Sequence, residues 1–220
     1  MMFTVSPSIY SADLLNLKDV LDKTSNFEHI HLDIDDGNFV KGISFGTDLI
    51  SQIAANTKVP LDVHLEVINP MDYIDELCEL KMSIIVAQIE TLDNPKEFID
   101  RIHSYGVKVG FAINVGTPLD KIKPYLNDID HLIFVSVVSG EKGLPFRKEV
   151  LNNVKEIKSL AKKELTIWVD GGVNESNLKD VVKAGATGVV IGRAVFKAND
   201  YTEAYNKFLK LGRSYEEMGE

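Results

Sequence analysis

Cysteine is almost missing from this 220-residue chain: Cys78 stands alone, so no intramolecular disulfide can form, and a reducing compartment is expected. It falls in an apolar-periodic helical pattern, where a thiol reads as a small core residue rather than a nucleophile. Long apolar runs are missing too. No window approaches the roughly 18 apolar residues of a spanning helix, so no membrane association is expected. The opening Met-Met-Phe-Thr-Val-Ser-Pro lacks the basic region and apolar stretch of a secretory signal, and the expected location is cytoplasmic. Clustered Lys and Arg are also lacking, and the formal net charge is −9, which argues against a nucleic-acid binder.

What the chain does have is a rhythm. No linker, low-complexity run or composition shift divides it, so residues 1–220 read as one domain. Short β-type runs at 4–8, 29–35, 61–66, 83–88, 108–114, 131–137, 165–170 and 188–191 alternate with eight helical patterns. Helix starts are marked by Ser11, Asn69-Pro70 and Asn94-Pro95, a helix is expected over about 146–161, and Asn174 is expected to cap the one carrying Leu178, Val181 and Val182. Eight β-α units in this length predict an α/β fold of the (β/α)8 TIM-barrel class, with an open doubly wound sheet as the alternative. A barrel places chemistry at the C-terminal ends of its strands and phosphate in the loops after strands seven and eight.

Polar residues gather at those ends. In Glu28-His-Ile-His-Leu-Asp-Ile-Asp-Asp-Gly37, Ile30, Leu32 and Ile34 share one strand face, while His29, His31, Asp33 and Asp35 share the other. His29, at the strand's beginning, reads as structural. Strand three repeats the pattern as Asp62-Val-His64-Leu-Glu66, and strand seven runs Ile-Trp-Val into Asp170 and then Gly171-Gly172. His31, Asp33, His64 and Asp170 can meet at the mouth as ligands for one divalent metal ion, with zinc, iron, manganese or cobalt all acceptable to such a set. Carboxylates from strands two and seven could flank a bound substrate, as removing a proton from one face of a carbon and returning one to the other requires. Gly171, Gly172 and Gly192 bare backbone N–H groups after strands seven and eight, and Arg193 adds a guanidinium that matches phosphate geometry.

These motifs together resemble the ribulose-phosphate 3-epimerase family. Val5-Ser-Pro-Ser-Ile-Tyr-Ser-Ala-Asp13 is similar to its N-terminal signature, 31–37 and 61–66 to its two metal-binding strands, and 169–174, 184–186 and 191–196 to its final third. The resemblance implies metal ligation by His31, Asp33, His64 and Asp170. It makes Asp33 and Asp170 the acid/base pair that inverts C3 of a ketose phosphate, such as ribulose 5-phosphate or xylulose 5-phosphate, through an enediolate. It further implies substrate contact by Ser8, phosphate contact by Gly171, Gly172, Gly192 and Arg193, and a homo-oligomer. Departures surround this core. Methionines usual in the family's pocket are Asp35 and Glu66, a third is Val135, its histidine on strand four is Gln88, and a small residue of its last phosphate loop is Arg193. The loop at 138–146 keeps only Gly140, Gly143 and Phe146, its two glycines being expected among the substrate- and phosphate-binding residues, and carries Lys142, either a second cation over the phosphate or a solvated loop residue. Changed specificity, with Asp35, Glu66 and Lys142 as its determinants, is the expectation. The alternatives are a non-catalytic sugar-phosphate-binding or regulatory barrel and, less favoured, a sugar-phosphate carbon-carbon lyase, whose Asp-x-Lys-x-x-Asp pattern is missing.

Overall fold

Nearly continuous runs of Val, Ile and Leu need cover on both faces, and they become parallel strands ringed by helices. The computed structural model describes residues 2–137 and 144–218. Its strands are β1 (Thr4–Pro7), β2 (Ile30–Asp35), β3 (Leu61–Glu66), β4 (Ile84–Gln88), β5 (Lys108–Asn114), β6 (His131–Val135), β7 (Thr166–Asp170) and β8 (Gly188–Ile191). They form one parallel sheet in the order β1-β8-β7-β6-β5-β4-β3-β2. A bridge between Ser8 and His31 joins the two edges and nearly closes it, giving the (β/α)8 barrel.

The helices are α1 (Leu17–Lys23), α2 (Thr47–Asn56), α3 (Ile74–Glu79), α4 (Pro95–Ser104), α5 (Val150–Leu160), α6 (Leu178–Lys183), α7 (Arg193–Phe196) and α8 (Tyr201–Glu217). Asn94 caps α4 as its sequence suggests, accepting from the Glu97 N–H. Four helix expectations are corrected. Ser11 closes a 3-10 turn (Ile9–Ser11) instead of starting a helix, and Asp13, accepting from the Leu15 N–H, opens the 3-10 turn Leu14–Asn16 that leads into α1. The β5–β6 connection holds two 3-10 turns, Leu119–Lys121 and Lys123–Tyr125, where a helix is expected; Pro124 has no N–H to donate to Asp120 and disfavours helical backbone at Lys123. α5 begins at Val150 rather than near 146, and Phe146 closes on Gly172 instead. Asn174 does not cap α6: its Oδ1 accepts from the Ser176 N–H and Oγ in a local turn, and Asn177 holds the cap position.

Period-two alternation splits the side chains into two layers. Ile30, Leu32, Ile34, Leu61, Val63 and Leu65 pack outward into the helical layer. The barrel interior divides by sector, with Ile84, Val86, Ala112, Ile133, Val135, Trp168 and Val190 forming an apolar wall on β4 to β8. Trp168 stands edge-on to His131 and His29, with ring centroids 4.5 and 5.6 Å away. It fits because Gly188 has no side chain: a Cβ there would lie 2.5 Å from the indole Nε1. Cys78 is buried, and burial pushes its thiol up to about 11, as an inert core residue requires. No helix among the described residues is long and apolar enough to cross a membrane.

Candidate active site and metal centre

The remaining interior sector, on β1 to β3 and the end of β4, is polar. Parallel pairing of β2 with β3 sets His31 beside Asp62, Asp33 beside His64 and Asp35 beside Glu66, three inward rungs rising toward the mouth. Asp170 reaches the same level from the end of β7. Ligand atoms of His31, Asp33, His64 and Asp170 all lie within 4.8 Å of one another, so the four come together as their sequence positions suggest.

Asp33 and His31 have defined partners. Asp33 Oδ1 lies 3.0 Å from His31 Nε2 and 3.5 Å from His64 Nδ1, and Asp33 Oδ2 accepts from Ser8 Oγ at 2.6 Å. His31 Nδ1 pairs with Asp62 Oδ2, whose second oxygen accepts from Ser6 Oγ at 2.8 Å and lies 3.4 Å from His29 Nδ1. A carboxylate behind an imidazole orients a metal-binding histidine. His64 Nδ1 is buried with no hydrogen-bond partner among the described residues. That bare nitrogen, with a second imidazole and two carboxylates around it, fits a divalent cation.

The two proposed acid/base residues sit in contrasting fields. Burial alone would raise Asp33, but the imidazoles of His31 and His64 outweigh it and hold the carboxyl well below its usual range. Asp170 faces the opposite balance: burial and the Asp33 charge push it up to about 7. The two carboxyls therefore face opposite balances of burial and neighbouring charge.

A cavity of about 280 Å3 opens above this point, lined by Ser8, Tyr10, Asp33 and Asp170 on one side and by Gly171, Gly172, Gly192 and Arg193 on the other. Gly171 and Gly172 have φ of +95° and +63°, and a Cβ on either would strike Val137 or Phe146 at 2.5 and 2.9 Å. Gly192 is crowded by Ser11, whose Oγ would lie 2.3 Å from an added Cβ. Asp35 and Glu66 do not line this cavity; they form the outermost rung, buried beside it. Gly140, Lys142 and Gly143 lie outside the described residues. Ser6 was not legible as a site residue, and Asp62 showed only as a polar alternate with His64. Pairing register alone reveals that it backs His31.

The outermost rung has a measurable cost. Asp35 is pushed up to about 8 by burial first, then by the charges of Glu66 and Asp33. A carboxyl raised above its unfolded value of about 3.9 keeps a proton that the unfolded chain has released, so its stabilisation is complete below pH about 4 and is lost as pH rises toward 8. Asp35→Asn is therefore expected to raise the melting temperature of the metal-free protein at pH 8 by about 5 °C, from on the order of 2 kcal/mol. At pH 4 the two proteins should melt together. Calorimetry at both pH values checks this, and an equal shift at both would count against a strained acid.

The profile of the ribulose-phosphate 3 epimerase family matches residues 4–196. Ribulose-phosphate 3-epimerase of Bacillus subtilis is 35% identical over 214 residues, covering 94% of this chain and 98% of that protein. The Synechocystis enzyme of the same name is 34% identical, covering 91% of this chain and 90% of its own. Among solved structures, orotidine 5'-phosphate decarboxylase from Pyrococcus horikoshii superposes with a TM-score of 0.69 over 95% of this chain and 99% of its own, at 14% identity, a likeness of fold alone. A family profile matching residues 4–196 and 35% identity over almost the full length of both chains place the chain in the ribulose-phosphate 3-epimerase family.

Proposed function

We propose that the protein is a metal-dependent isomerase that inverts C3 of a ketose phosphate, ribulose 5-phosphate and xylulose 5-phosphate being the first pair to test. The observation that carries this reading is the Asp33–Asp170 pair, supplied from β2 and β7 and brought with His31 and His64 to within 4.8 Å of one another at the barrel mouth. Asp33 removes the C3 proton from a substrate of one configuration, and Asp170 delivers a proton to the opposite face. In the reverse direction the roles exchange. Ser8 fixes the Asp33 carboxyl through Oδ2, and Asp62 fixes the His31 ring. A divalent ion held by His31, Asp33, His64 and Asp170 would supply Lewis acidity beside the negative charge that develops on the substrate oxygens. Incubation in deuterium oxide with the ion present tests the reaction. Deuterium should enter C3 as the epimer forms, and absence of both would leave a sugar-phosphate binder.

Phosphate binds, in this reading, at the other end of the cavity. Gly192 and Arg193 open α7, where first-turn N–H groups lack helical partners, and the exposed Arg193 guanidinium can close on a phosphate from solvent. Binding energy from this remote group holds C3 between the two aspartates. Arg193→Ala should raise KM for the phosphorylated ketose about 10- to 100-fold, one charge-assisted hydrogen-bonded contact being worth roughly 1.5–3 kcal/mol, while the free sugar's kcat/KM stays unchanged. Equal losses on both substrates would remove Arg193 from the phosphate site.

A further inference from the structure

The third rung of the β2–β3 ladder extends the polar interior beyond the atoms that the epimerisation uses. Asp35 and Glu66 lie two residues past Asp33 and His64, about 6.6 Å nearer the mouth at roughly 3.3 Å per residue. They are only 4% and 8% exposed. Gln88, fully buried at the end of β4, completes a triangle with them: its Nε2 donates to Glu66 Oε1 at 3.4 Å and lies 3.1 Å from His64 Nε2. Two acceptors in this group, Asp35 Oδ1 and Gln88 Oε1, are buried without a hydrogen-bond partner among the described residues. Charges acting on Asp35 come from Glu66, Asp33 and His64, with no lysine or arginine among them. Tyr10 connects the group to the cavity. It lines the cavity, and its hydroxyl and Asp35 Oδ2 lie 3.3 and 3.4 Å from the point where a Cβ on Gly42 would stand.

Strand order fixes which part of a substrate faces this triangle. On the epimerase reading, phosphate sits at the ends of β7 and β8 and C3 lies between Asp33 on β2 and Asp170 on β7. The chain of the sugar beyond C3 then runs over β2, β3 and β4, and its terminus is C1. We propose that Asp35, Glu66 and Gln88 form a hydrogen-bonding subsite for a donor on C1 of the ketose phosphate, so that the protein takes substrates with a C1 hydroxyl and rejects those with a methyl group there. A C1 hydroxyl supplies the hydrogen bond that these already desolvated acceptors lack in the free protein, whereas a methyl group leaves them unpaired, and sites built to hydrogen-bond a hydroxyl discriminate against its absence far more strongly than apolar pockets discriminate by size.

The test compares xylulose 5-phosphate with 1-deoxyxylulose 5-phosphate on the metal-loaded protein, reading both kcat/KM and deuterium entry at C3. The wild-type preference for the hydroxylated substrate should be about a hundredfold or more. In the Asp35→Met, Glu66→Met double variant the preference should fall below about tenfold, because the methyl group then meets thioethers. Equal kcat/KM on both substrates by the wild type overturns the subsite while leaving the epimerase reading intact. A double variant that keeps the wild-type preference also overturns it. If neither substrate exchanges or turns over, the epimerase reading fails and the subsite falls with it. The wild-type ratio alone decides where the double variant does not fold.

Discussion

Asp170→Asn is expected to lower the rate of C3 inversion by about a thousandfold or more, the scale of a positioned general acid or base. Asparagine keeps the side chain's volume but can neither take up nor release the proton. The partner aspartate remains, which makes the outcome specific. Asp33 should still remove and return the proton of the epimer whose C3–H faces it, so the variant should wash deuterium into one epimer without producing the other. Asp33→Asn should show the mirror result with the opposite epimer. Because both residues belong to the candidate metal cluster, metal content must be measured on each variant. A variant that retains its ion, exchanges one epimer and fails to invert separates proton transfer from ligation; unchanged turnover would remove Asp170 from the reaction.

Chelation of the divalent ion is expected to abolish activity, with recovery on adding one equivalent per chain. Magnitude decides this. Moving the pKa of water from about 15.7 to about 7, at about 1.36 kcal/mol per unit, corresponds to roughly 12 kcal/mol of anion stabilisation by a metal ion. A single oxyanion-hole hydrogen bond supplies only about 3–4 kcal/mol, and the Ser8 hydroxyl beside the aspartates is already given to Asp33. Turnover retained after dialysis against chelator, with absence of metal confirmed by elemental analysis, would refute metal dependence. Metal should also raise stability at neutral pH by satisfying His64 Nδ1 and the repelling Asp33–Asp170 pair, so the melting temperature should climb with ion concentration.

Much of this architecture is legible in the sequence. Short β-type runs mark all eight strands to within two residues at either end, because parallel strands covered by helices leave nearly unbroken apolar stretches. Helix boundaries were less legible. Pro124 breaks the β5–β6 connection into 3-10 turns, and Asn174 spends its side chain on its own loop rather than on α6. Both are local competitions that composition does not resolve.

Residue types available to the site are written in the sequence: two histidines and two aspartates at the ends of strands two, three and seven, glycines after strand seven where the backbone turns with positive φ, and acids at 35 and 66. How they are arranged around one another comes from the fold. Register pairs His31 with Asp62, Asp33 with His64 and Asp35 with Glu66, and near-closure of the barrel brings Ser8 onto Asp33 and Asp170 into the cluster. Those neighbours, not the residues' own chemistry, hold Asp33 ionised and push Asp170 up to about 7. The reason is that a carboxyl's proton affinity depends on burial and on charges a few ångströms away, and distances between strands that lie more than a hundred residues apart in the chain exist only once the barrel has formed.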